Sequence, residues 1–270
     1  MGELDGRVAL VTGAGRLRGI GRAAAVALAR LGADVVISGT GRDPSTFPDD
    51  EKAVDWGDIE GTAEQVRAEG RRALPVVFDV TEQEQVSGAV LEAVREFGRI
   101  DILVNNAAIA RGEDRVPLLD LDPALFQRVV DVKVTGTYLC TREVIRQILK
   151  QDEGGKIVNI SSVAGKRGTE NTLAYNAANF AIVGMTQSLA REFGPHGVNV
   201  NCVCPGAVDT SRMDSVRPDD RPVRAKASDP VGRWGTDEEV GDFVAYLCTE
   251  AASWIHGQSI NINGGSMMEH

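Results

Sequence analysis

The sequence predicts an α/β fold: a doubly wound parallel sheet of about seven strands, with helices on both faces, in three α/β/α layers. Short apolar runs rich in Val and Ile alternate with helical stretches along the chain, and such alternation is typical of βαβ units. The apolar runs are not interleaved with polar residues, as expected for strands that are covered on both faces. A composition of 43% hydrophobic and 25% charged residues provides for a large core.

The predicted strands are apolar runs bounded by glycine or polar residues. In chain order they are residues 7–12, 33–38, 73–78, 100–105, 156–160, 198–203 and 258–262. The predicted helices occupy the stretches between the strands. They are residues 21–31, 58–69, 81–98, 123–150, 173–193 and 236–249.

Local signals mark the beginnings of two helices. Thr81 is expected to cap the helix that follows it, with Glu84 completing a capping box. Asp122 and Pro123 are typical of an N-cap and of a first helical position.

Two long segments between the predicted elements are polar. Residues 39–57 contain prolines and glycines and are expected to form a loop, and residues 205–235 form a second, charged loop. No linker or internal repeat divides the sequence. Residues 1–270 are therefore interpreted as a single domain.

The charge and the cysteines exclude several classes of partner. A net charge of −10 and a pI of about 4.9 disfavour nucleic acid, because an acidic surface repels phosphate. The four cysteines lack metal-binding spacing, so we expect no metal site and buried thiols in a reducing cytoplasm. No signal peptide or membrane-spanning apolar run is evident, so a cytoplasmic protein without a membrane partner is expected.

A glycine-rich loop, TGAGRLRGIGR, lies between the first strand and the first helix. It contains Gly13, Gly15, Gly19, Ile20 and Gly21. In dinucleotide-binding folds this turn places the pyrophosphate on the N-terminus of a helix. The position of the loop between strand and helix therefore predicts a Rossmann-like dinucleotide site.

With these motifs the chain resembles the short-chain dehydrogenase/reductase family, in its common single-domain form and over nearly its whole length. Thr12-Gly13 and Gly19-Ile20-Gly21 match the two ends of the family pattern TGxxxGxG, but the residues between them are two too many. The phosphate loop is therefore expected to be enlarged. The resemblance also implies that residues 205–235 form a substrate lid.

Three further segments match the family. They are Asp79-Val80, Asn105-Asn106-Ala107 and Pro205-Gly206-Ala207-Val208-Asp209-Thr210. The resemblance implies that these segments contact the adenine, brace the central sheet and hold the nicotinamide carboxamide, respectively. The cofactor-binding residues expected from them are Asp79, Val80, Asn106, Ala107, Pro205, Gly206, Val208 and Thr210.

The end of the second strand bears on the choice between NAD and NADP. An acidic residue at that position usually takes the ribose hydroxyls and repels a 2′-phosphate, but here the chain has Gly39 and Thr40. Arg18 and Arg42 supply guanidinium groups that suit a phosphate. We expect NADP(H) to be preferred, with NAD(H) possible because Asp43 could reach the ribose. The alternative for both arginines is that they are solvated.

The resemblance places catalysis on a serine and a tyrosine. Ser162 in NISSVAG and Tyr175 in AYNAAN match the family motifs and are thirteen residues apart, as in the family. The resemblance implies that Tyr175 transfers the proton to or from the alcohol oxygen while Ser162 hydrogen-bonds that oxygen. The hydride moves between the substrate carbon and the nicotinamide.

Two catalytic positions depart from the family pattern. Asn179 stands four residues after Tyr175, where the family has lysine, and Lys133 stands in DVKVTG, where the family has asparagine. A free phenol has a pKa of about 10, and a nearby ammonium group favours its ionised form. Asn179 carries no charge and cannot act in this way, but it could still hydrogen-bond the nicotinamide ribose.

Several interpretations of this exchange remain open. Lys133 could supply the missing charge from the other position. The chain could instead be a weakened or inactive enzyme, natural or engineered, that still binds the dinucleotide and acts as a sensor or scaffold. A different chemistry on the same scaffold, or a merely solvated Lys133, is also possible. The first interpretation predicts an oxidoreductase that interconverts a ketone and a secondary alcohol.

Other residues are candidates for substrate contact. Arg212, Met213 and Arg217 could line the mouth of the substrate site, and residues 108–112 and 164–169 could contribute. His196 and His256 are interpreted as structural. The expected partner is a small-molecule carbonyl or alcohol. The resemblance implies a homotetramer or homodimer assembled through the two helices that carry Lys133 and Asn179.

Overall fold

The computed structural model describes residues 2–214 and 229–269. A seven-stranded parallel sheet has the strand order β3-β2-β1-β4-β5-β6-β9, and β7 and β8 form a separate small pair. The strands are β1 (Val8–Val11), β2 (Asp34–Gly39), β3 (Ala73–Val77), β4 (Ile102–Asn105), β5 (Gly155–Ile160), β6 (Val198–Pro205), β7 (Val208–Asp209), β8 (Gly235–Thr236) and β9 (Ser259–Ile262). The predicted doubly wound fold is confirmed.

The helices connect consecutive strands and cover both faces of the sheet. They are α1 (Ile20–Arg30), α2 (Asp49–Ala53), α3 (Ile59–Ala68), α4 (Gln83–Phe97), α5 (Pro123–Val130), α6 (Gly136–Gln151), α7 (Leu173–Phe193) and α8 (Asp237–Leu247). Among the described residues, none of these helices has the length and apolarity that a bilayer crossing needs.

The central strands are buried on both faces, which explains their continuous apolar runs. In β1, Ala9 and Val11 belong to one apolar cluster, whereas Val8 and Leu10 belong to the cluster on the other face. All four side chains are buried. Because successive strand residues point to opposite faces, both faces demand apolar residues, and no polar alternation can appear.

The predicted helix 123–150 is interrupted in the structure. A π-helical turn, Asp131–Thr135, separates α5 from α6, and the amide of Gly136 donates to the carbonyl of Asp131, five residues earlier. The Thr137 hydroxyl donates to the Lys133 carbonyl at 2.7 Å within this wide turn. Hydrophobic periodicity does not reveal a single wide turn, and such turns occur frequently at functional sites.

The predicted capping box at Thr81 is wrong. Helix α4 begins at Gln83, after Glu82, and no side chain caps it. The Thr81 amide and hydroxyl instead donate to the Asp79 carboxylate at 2.9 and 2.8 Å. The Thr81 hydroxyl is therefore bonded to Asp79 and does not cap α4, as the capping-box motif had predicted.

The two long polar segments differ from the loops that the sequence predicted. Residues 39–57 contain the short helix α2, so this segment is an ordered insertion. Of the predicted lid, residues 205–214 and 229–235 are described. Arg217, which was expected at the substrate mouth, lies outside the described residues.

Candidate active site

The candidate site lies at the carboxyl edge of the sheet, beside the boundary between β1 and β4. The strand order reverses at this boundary, and in open α/β sheets such a switch point opens a crevice that takes ligands. The loops after β1, β4, β5 and β6 all leave the sheet at this edge, because the strands are parallel. These loops contain the glycine loop, Asn106, Ser162 and the segment that begins at Gly206, whereas Lys133, Tyr175 and Asn179 lie on helical elements.

The glycine loop after β1 lies close to the segment after β4. Gly13 has a φ of +66°, and a Cβ on it would be 2.8 Å from the Ala107 Cα. A Cβ on Gly21 would be 2.5 Å from the Asn106 Nδ2, which donates to the Thr12 and Gly13 carbonyls at 3.0 and 2.9 Å. Any side chain at either glycine would separate the two loops.

The N-terminus of α1 offers amides to an anion. The first residues of a helix have N–H groups without an intrahelical acceptor, which here include those of Ile20 and Gly21. The Gly19 amide is already used, since it donates to the Asp237 carboxylate at 2.7 Å. Arg22 pairs with that carboxylate at 2.8 Å. The glycine cradle and the remaining amides fit the pyrophosphate of a dinucleotide.

The insertion 39–57 holds the enlarged phosphate loop in place. The Leu17 amide donates to the Glu51 carboxylate at 3.1 Å, and the side chain of Glu51 is fully buried. The Gly15 carbonyl accepts from Arg42 at 2.8 Å and from the Trp56 indole at 2.7 Å. The enlarged phosphate loop and the segment 39–57 are thus packed against each other.

Both arginines that were expected at a 2′-phosphate are paired with carboxylates. Arg42 lies 2.8 Å from Glu51 and 2.7 Å from Asp58. Arg18 lies 2.6 Å from Asp50 and 2.8 Å from Asp214. Both guanidinium groups would therefore have to leave, or share, a carboxylate in order to bind a phosphate, so their part in cofactor binding stays a prediction.

A third arginine in this region, Arg16, was not considered from the sequence. Burial lowers the pKa of Arg16 below its usual range, and the neighbouring Arg42 cation lowers it further. Arg16 forms no ion pair with the described residues, although Glu51 and Asp58 favour its charge. It is thus the cation of the phosphate loop whose charge is least compensated.

The other residues expected at the cofactor lie around the same edge. Thr40 follows β2 and is exposed. Asp79 binds Thr81, as described, while the buried side chain of Val80 packs so closely on Gly136 that a Cβ there would be 2.5 Å away. The side chain of Val80 therefore belongs to the core and is not available to a ligand.

The segment after β6 reaches the glycine loop from the other side. Pro205 ends β6 and is buried, and the Gly206 amide donates to the Ile262 carbonyl at 3.0 Å. Val208 pairs with Gly235 in the small parallel pair. Thr210 is buried, and the next amide, of Ser211, donates to the Arg18 carbonyl at 3.0 Å.

Ser162 and Tyr175 lie on segments that are tied to each other. Ser162 follows β5, is buried, and accepts a hydrogen bond from the Ala164 amide at 3.2 Å. Tyr175 lies in the first turn of α7 and is half-buried. The next residue, Asn176, donates to the Ala164 carbonyl at 2.7 Å, which fixes the start of α7 against the serine loop.

Lys133 lies in the π-helical turn, which packs against α7. Its side chain is buried, with 6% of the residue exposed, so it is not a solvated helix lysine. Burial lowers the pKa of Lys133 to about 8, and Arg212 lowers it further, while Cys202 and Cys204 on β6 act in the opposite sense. At pH 7 most of the molecules still carry a buried ammonium group.

Asn179 is buried one turn after Tyr175. Its Nδ2 donates to the Tyr175 carbonyl at 2.8 Å, and its own carbonyl accepts from the Ser161 hydroxyl at 3.0 Å. The Asn179 Oδ1 is buried and accepts no hydrogen bond from the described residues. Asn179 therefore keeps a free amide acceptor on α7, the helix against which the π-helical turn with Lys133 packs.

Two arginines lie against the ring of Tyr175. The guanidinium carbon of Arg115 is 3.8 Å from the ring centroid, and that of Arg212 is 5.1 Å away. Arg212 had been placed at the substrate mouth from the sequence, but Arg115 was missed, because no motif marks its loop after β4. Arg212 also lowers the pKa of Lys133, so this arginine contacts the tyrosine ring and acts electrostatically on the buried lysine.

His256 and the four cysteines are the other residues near the site for which the sequence made a prediction. His256 is structural as expected, since its Nδ1 accepts from the Val200 amide at 3.2 Å and its Nε2 is 2.8 Å from the Ala190 carbonyl. The four cysteines are buried and free. No metal-binding cluster of His, Cys, Asp and Glu occurs in residues 2–214 and 229–269.

The buried ammonium group of Lys133 leads to a stability prediction. Because the pKa of Lys133 is lower in the folded protein than in the unfolded chain, the charged form disfavours folding. Lys133→Met removes this cost and is expected to raise the free energy of unfolding at pH 7 by at most about 3 kcal/mol. The gain should be largest below pH 8 and fall toward pH 10.5.

Chemical denaturation from pH 6 to 10 measures this gain. Lys150→Met, at an exposed lysine near the end of α6, is the matched control and should show no such pH dependence. A destabilised Lys133→Met protein would mean that the ammonium group is well compensated in the fold.

The sequence and the structure are similar to those of known oxidoreductases. A family model described as enoyl-(acyl carrier protein) reductase matches residues 13–267. The chain is 38% identical to a 3-oxoacyl-[acyl-carrier-protein] reductase of Aquifex aeolicus, with 97% of this chain and 98% of the relative covered. It is also 38% identical to a cis-4-hydroxycyclohexanecarboxylate dehydrogenase of Sinomonas cyclohexanicum, with 96% of each covered.

The structural comparison agrees with the sequence comparison. Carveol dehydrogenase from Mycobacterium avium, solved in complex with NAD, superposes with a TM-score of 0.89 at 27% identity, with 100% of both chains covered. The similarity of the fold therefore extends over the length of both chains.

Proposed function

The chain belongs to the short-chain dehydrogenase/reductase family, and from this premise we propose that it interconverts a ketone and a secondary alcohol with a nicotinamide dinucleotide. The observation that carries the proposal is the arrangement around Tyr175. A buried ammonium group, from Lys133, lies in a turn packed against the helix that bears Tyr175 and Asn179. The expected partner is a small carbonyl compound or alcohol.

Each residue has a separate task in this proposal. When bound, the dinucleotide supplies or accepts the hydride. Gly13, Gly21 and the first amides of α1 hold its pyrophosphate. Ser162 donates a hydrogen bond to the substrate oxygen and orients the carbonyl. The Tyr175 hydroxyl gives its proton to that oxygen in reduction and takes it back in oxidation.

In this proposal Lys133 supplies the positive charge that the family lysine, replaced here by Asn179, would place near the tyrosine. A cation near a phenol favours its ionised form, and burial strengthens this effect because the effective dielectric constant is low. Asn179 cannot supply charge, but its unpaired Oδ1 is an acceptor suited to an ammonium or hydroxyl donor. We propose that the two positions have exchanged tasks. The competing proposal is a chain that binds the dinucleotide without turnover.

The deciding experiment is a turnover assay beside a binding titration. The protein is incubated with NADPH or NADH and a panel of cyclic and linear ketones, and loss of the reduced cofactor is followed by absorbance. The relative that acts on cis-4-hydroxycyclohexanecarboxylate makes 4-oxocyclohexanecarboxylate a sensible first ketone. Turnover supports the oxidoreductase, whereas tight dinucleotide binding with no turnover on the whole panel supports the second proposal.

The preferred cofactor is proposed to be NADP(H), now on the basis of Arg16. Because Arg18 and Arg42 are paired, the guanidinium group of Arg16 is the one that a 2′-phosphate would compensate. We expect NADPH to bind more tightly than NADH at one ionic strength. Arg16→Ala should weaken NADPH selectively, while Arg30→Ala, at the far end of α1, should not.

Fluorescence titration gives both dissociation constants without any substrate. Tighter binding of NADH would contradict this prediction. It would indicate instead that Asp58, whose carboxylate lies 3.9 Å from where a Cβ of Gly39 would be, takes the ribose hydroxyls.

Assembly into a homodimer or homotetramer remains a proposal. Helices α6 and α7 each carry large apolar side chains that are exposed in the single chain, among them Tyr138 and Phe180. An interface on these helices would cover both. Sedimentation analysis measures the oligomeric state directly.

A further inference from the structure

The ring of Tyr175 is accompanied by an unusual amount of positive charge. Arg115 and Arg212 approach the ring centroid to 3.8 and 5.1 Å. The chain as a whole carries a charge of −10. Two cations on one ring run against this acidic composition, so their presence at Tyr175 needs a local cause.

The charge of Arg212 is not compensated within the described residues. Its guanidinium group donates to the Ile109 carbonyl at 2.7 Å, which is a neutral acceptor, and it forms no ion pair with a described carboxylate. By contrast, Arg18, Arg22 and Arg42 each pair with two or more acidic side chains. Arg212 differs from these arginines in facing Tyr175.

Arg115 is only partly compensated. Its Nε lies 3.2 Å from the buried Asp114 carboxylate, but neither atom has a partner in hydrogen-bond geometry. A buried guanidinium nitrogen without an acceptor is costly. The group is therefore held beside Tyr175 with hydrogen-bonding capacity left over.

Stacking on the phenol ring alone does not account for this arrangement. A cation over an aromatic ring gains about 0.5–2 kcal/mol, and a single arginine would suffice to orient the ring. Two guanidinium groups that both retain donors match an external anion. Their planar forks fit a carboxylate better than any neutral group.

We propose that the substrate carries a carboxylate and that Arg212 and Arg115 bind it beside the reacting carbonyl. This inference rests on the proposed function, because it assumes that the carbonyl is reduced at Tyr175. It narrows the substrate class to small keto acids and the corresponding hydroxy acids. The carboxylate would also compensate the charge of Arg212, which lowers the pKa of Lys133, so substrate binding would favour the charged form of the lysine.

Matched pairs of ketones test the inference. The dinucleotide-loaded protein is assayed with 4-oxocyclohexanecarboxylate and 4-oxopentanoate, each beside its methyl ester. We expect kcat/KM to be at least about tenfold higher for each acid, the factor that about 1.4 kcal/mol gives. Arg212→Gln should lower kcat/KM for the acids by a similar factor, mainly through KM, and should lower it much less for the esters, so the ratio of acid to ester falls.

Two further variants separate charge from structure. Arg212→Lys keeps the charge without the fork and should recover part of the loss. Arg95→Gln, at an exposed arginine on α4, is the matched control and should change neither acid nor ester. Equal losses for acid and ester in Arg212→Gln and Arg115→Gln would mean that both arginines only position Tyr175, which overturns the inference.

Calorimetric titration of the dinucleotide-loaded protein with each acid and its ester measures their dissociation constants, so the carboxylate site can be tested without turnover. If the acid binds more tightly than its ester and Arg212→Gln removes this difference, the carboxylate site is supported. This holds even if no ketone is reduced, and then only the proposed reaction fails. Equal binding of acid and ester, or binding of neither, contradicts the carboxylate site. If the esters are turned over as fast as the acids or faster, the carboxylate site is overturned. The proposed oxidoreductase activity would still stand.

Discussion

Tyr175→Phe is expected to lower kcat by at least about 100-fold while leaving the dissociation constant of the dinucleotide nearly unchanged. A positioned general acid typically contributes 10²–10⁴-fold, and the substitution removes only the hydroxyl that carries the proton. The ring, which contacts Arg115 and Arg212, remains. Steady-state assays with the best ketone of the panel, beside a fluorescence titration of the cofactor, measure both quantities.

Tyr246→Phe is the matched control for this experiment. Tyr246 lies on α8, is exposed and stacks on Phe243, so the loss of its hydroxyl should not affect turnover. If Tyr175→Phe retained more than about a tenth of the rate, another group would be the proton donor. Lys133 would then be the first candidate, because its pKa of about 8 suits proton transfer near neutral pH.

Lys133→Asn is expected to extinguish activity almost completely and to raise the pH at which alcohol oxidation begins. If the two positions have exchanged tasks as proposed, the substitution removes the buried cation that would take the place of the family lysine, and the small amide carries no charge to replace it. The measurement is the pH profile of kcat/KM for oxidation. The Lys150→Asn variant, at an exposed lysine of α6, controls for the general effect of losing one positive charge.

The double variant Lys133→Asn with Asn179→Lys tests whether the two positions act together. It restores the family arrangement and is expected to recover activity relative to Lys133→Asn alone. Residues that share one network have non-additive effects. Asn179→Lys alone would put two ammonium groups into a buried region where the pKa of Lys133 is already lowered to about 8, so their repulsion should lower it further.

Two results would overturn the proposed exchange. A fully active Lys133→Asn protein would show that the buried lysine has no part in the reaction. Strong activity of Asn179→Lys alone, from a nearly inert parent, would identify the chain as an inactivated enzyme. The second result would favour the interpretation of a protein that binds the dinucleotide without turning over a substrate.

Much of the fold could be predicted from local sequence signals. Helix α7 was predicted with the bounds that the structure has, because a continuous helical run ends at Phe193 before the glycine and proline that follow. The seven strands of the large sheet were located to within two residues at each end, whereas the short strands β7 and β8 were not predicted. The π-helical turn at Asp131–Thr135 was not predictable, because a single wide turn leaves the apolar pattern almost unchanged.

Some features of the candidate site could likewise be predicted from the sequence, and others only from the structure. Ser162, Tyr175, Asn179 and Lys133 could be identified as candidates because motifs are local in the chain. Whether an arginine is ion-paired could not be predicted, because Arg18 and Arg42 pair with carboxylates that lie up to 196 residues away along the chain. A basic residue in a loop does not indicate whether an acid will meet it.

The sequence by itself determined the order of strands and helices, the dinucleotide loop and the inventory of reacting side chains. These depend on periodicity and on short motifs, which are properties of neighbouring residues. Only the tertiary structure decided that Lys133 is buried rather than solvated, that the insertion 39–57 locks the phosphate loop, and that Arg115 joins Arg212 at Tyr175. Burial and charge pairing arise where distant segments meet, so no local pattern records them.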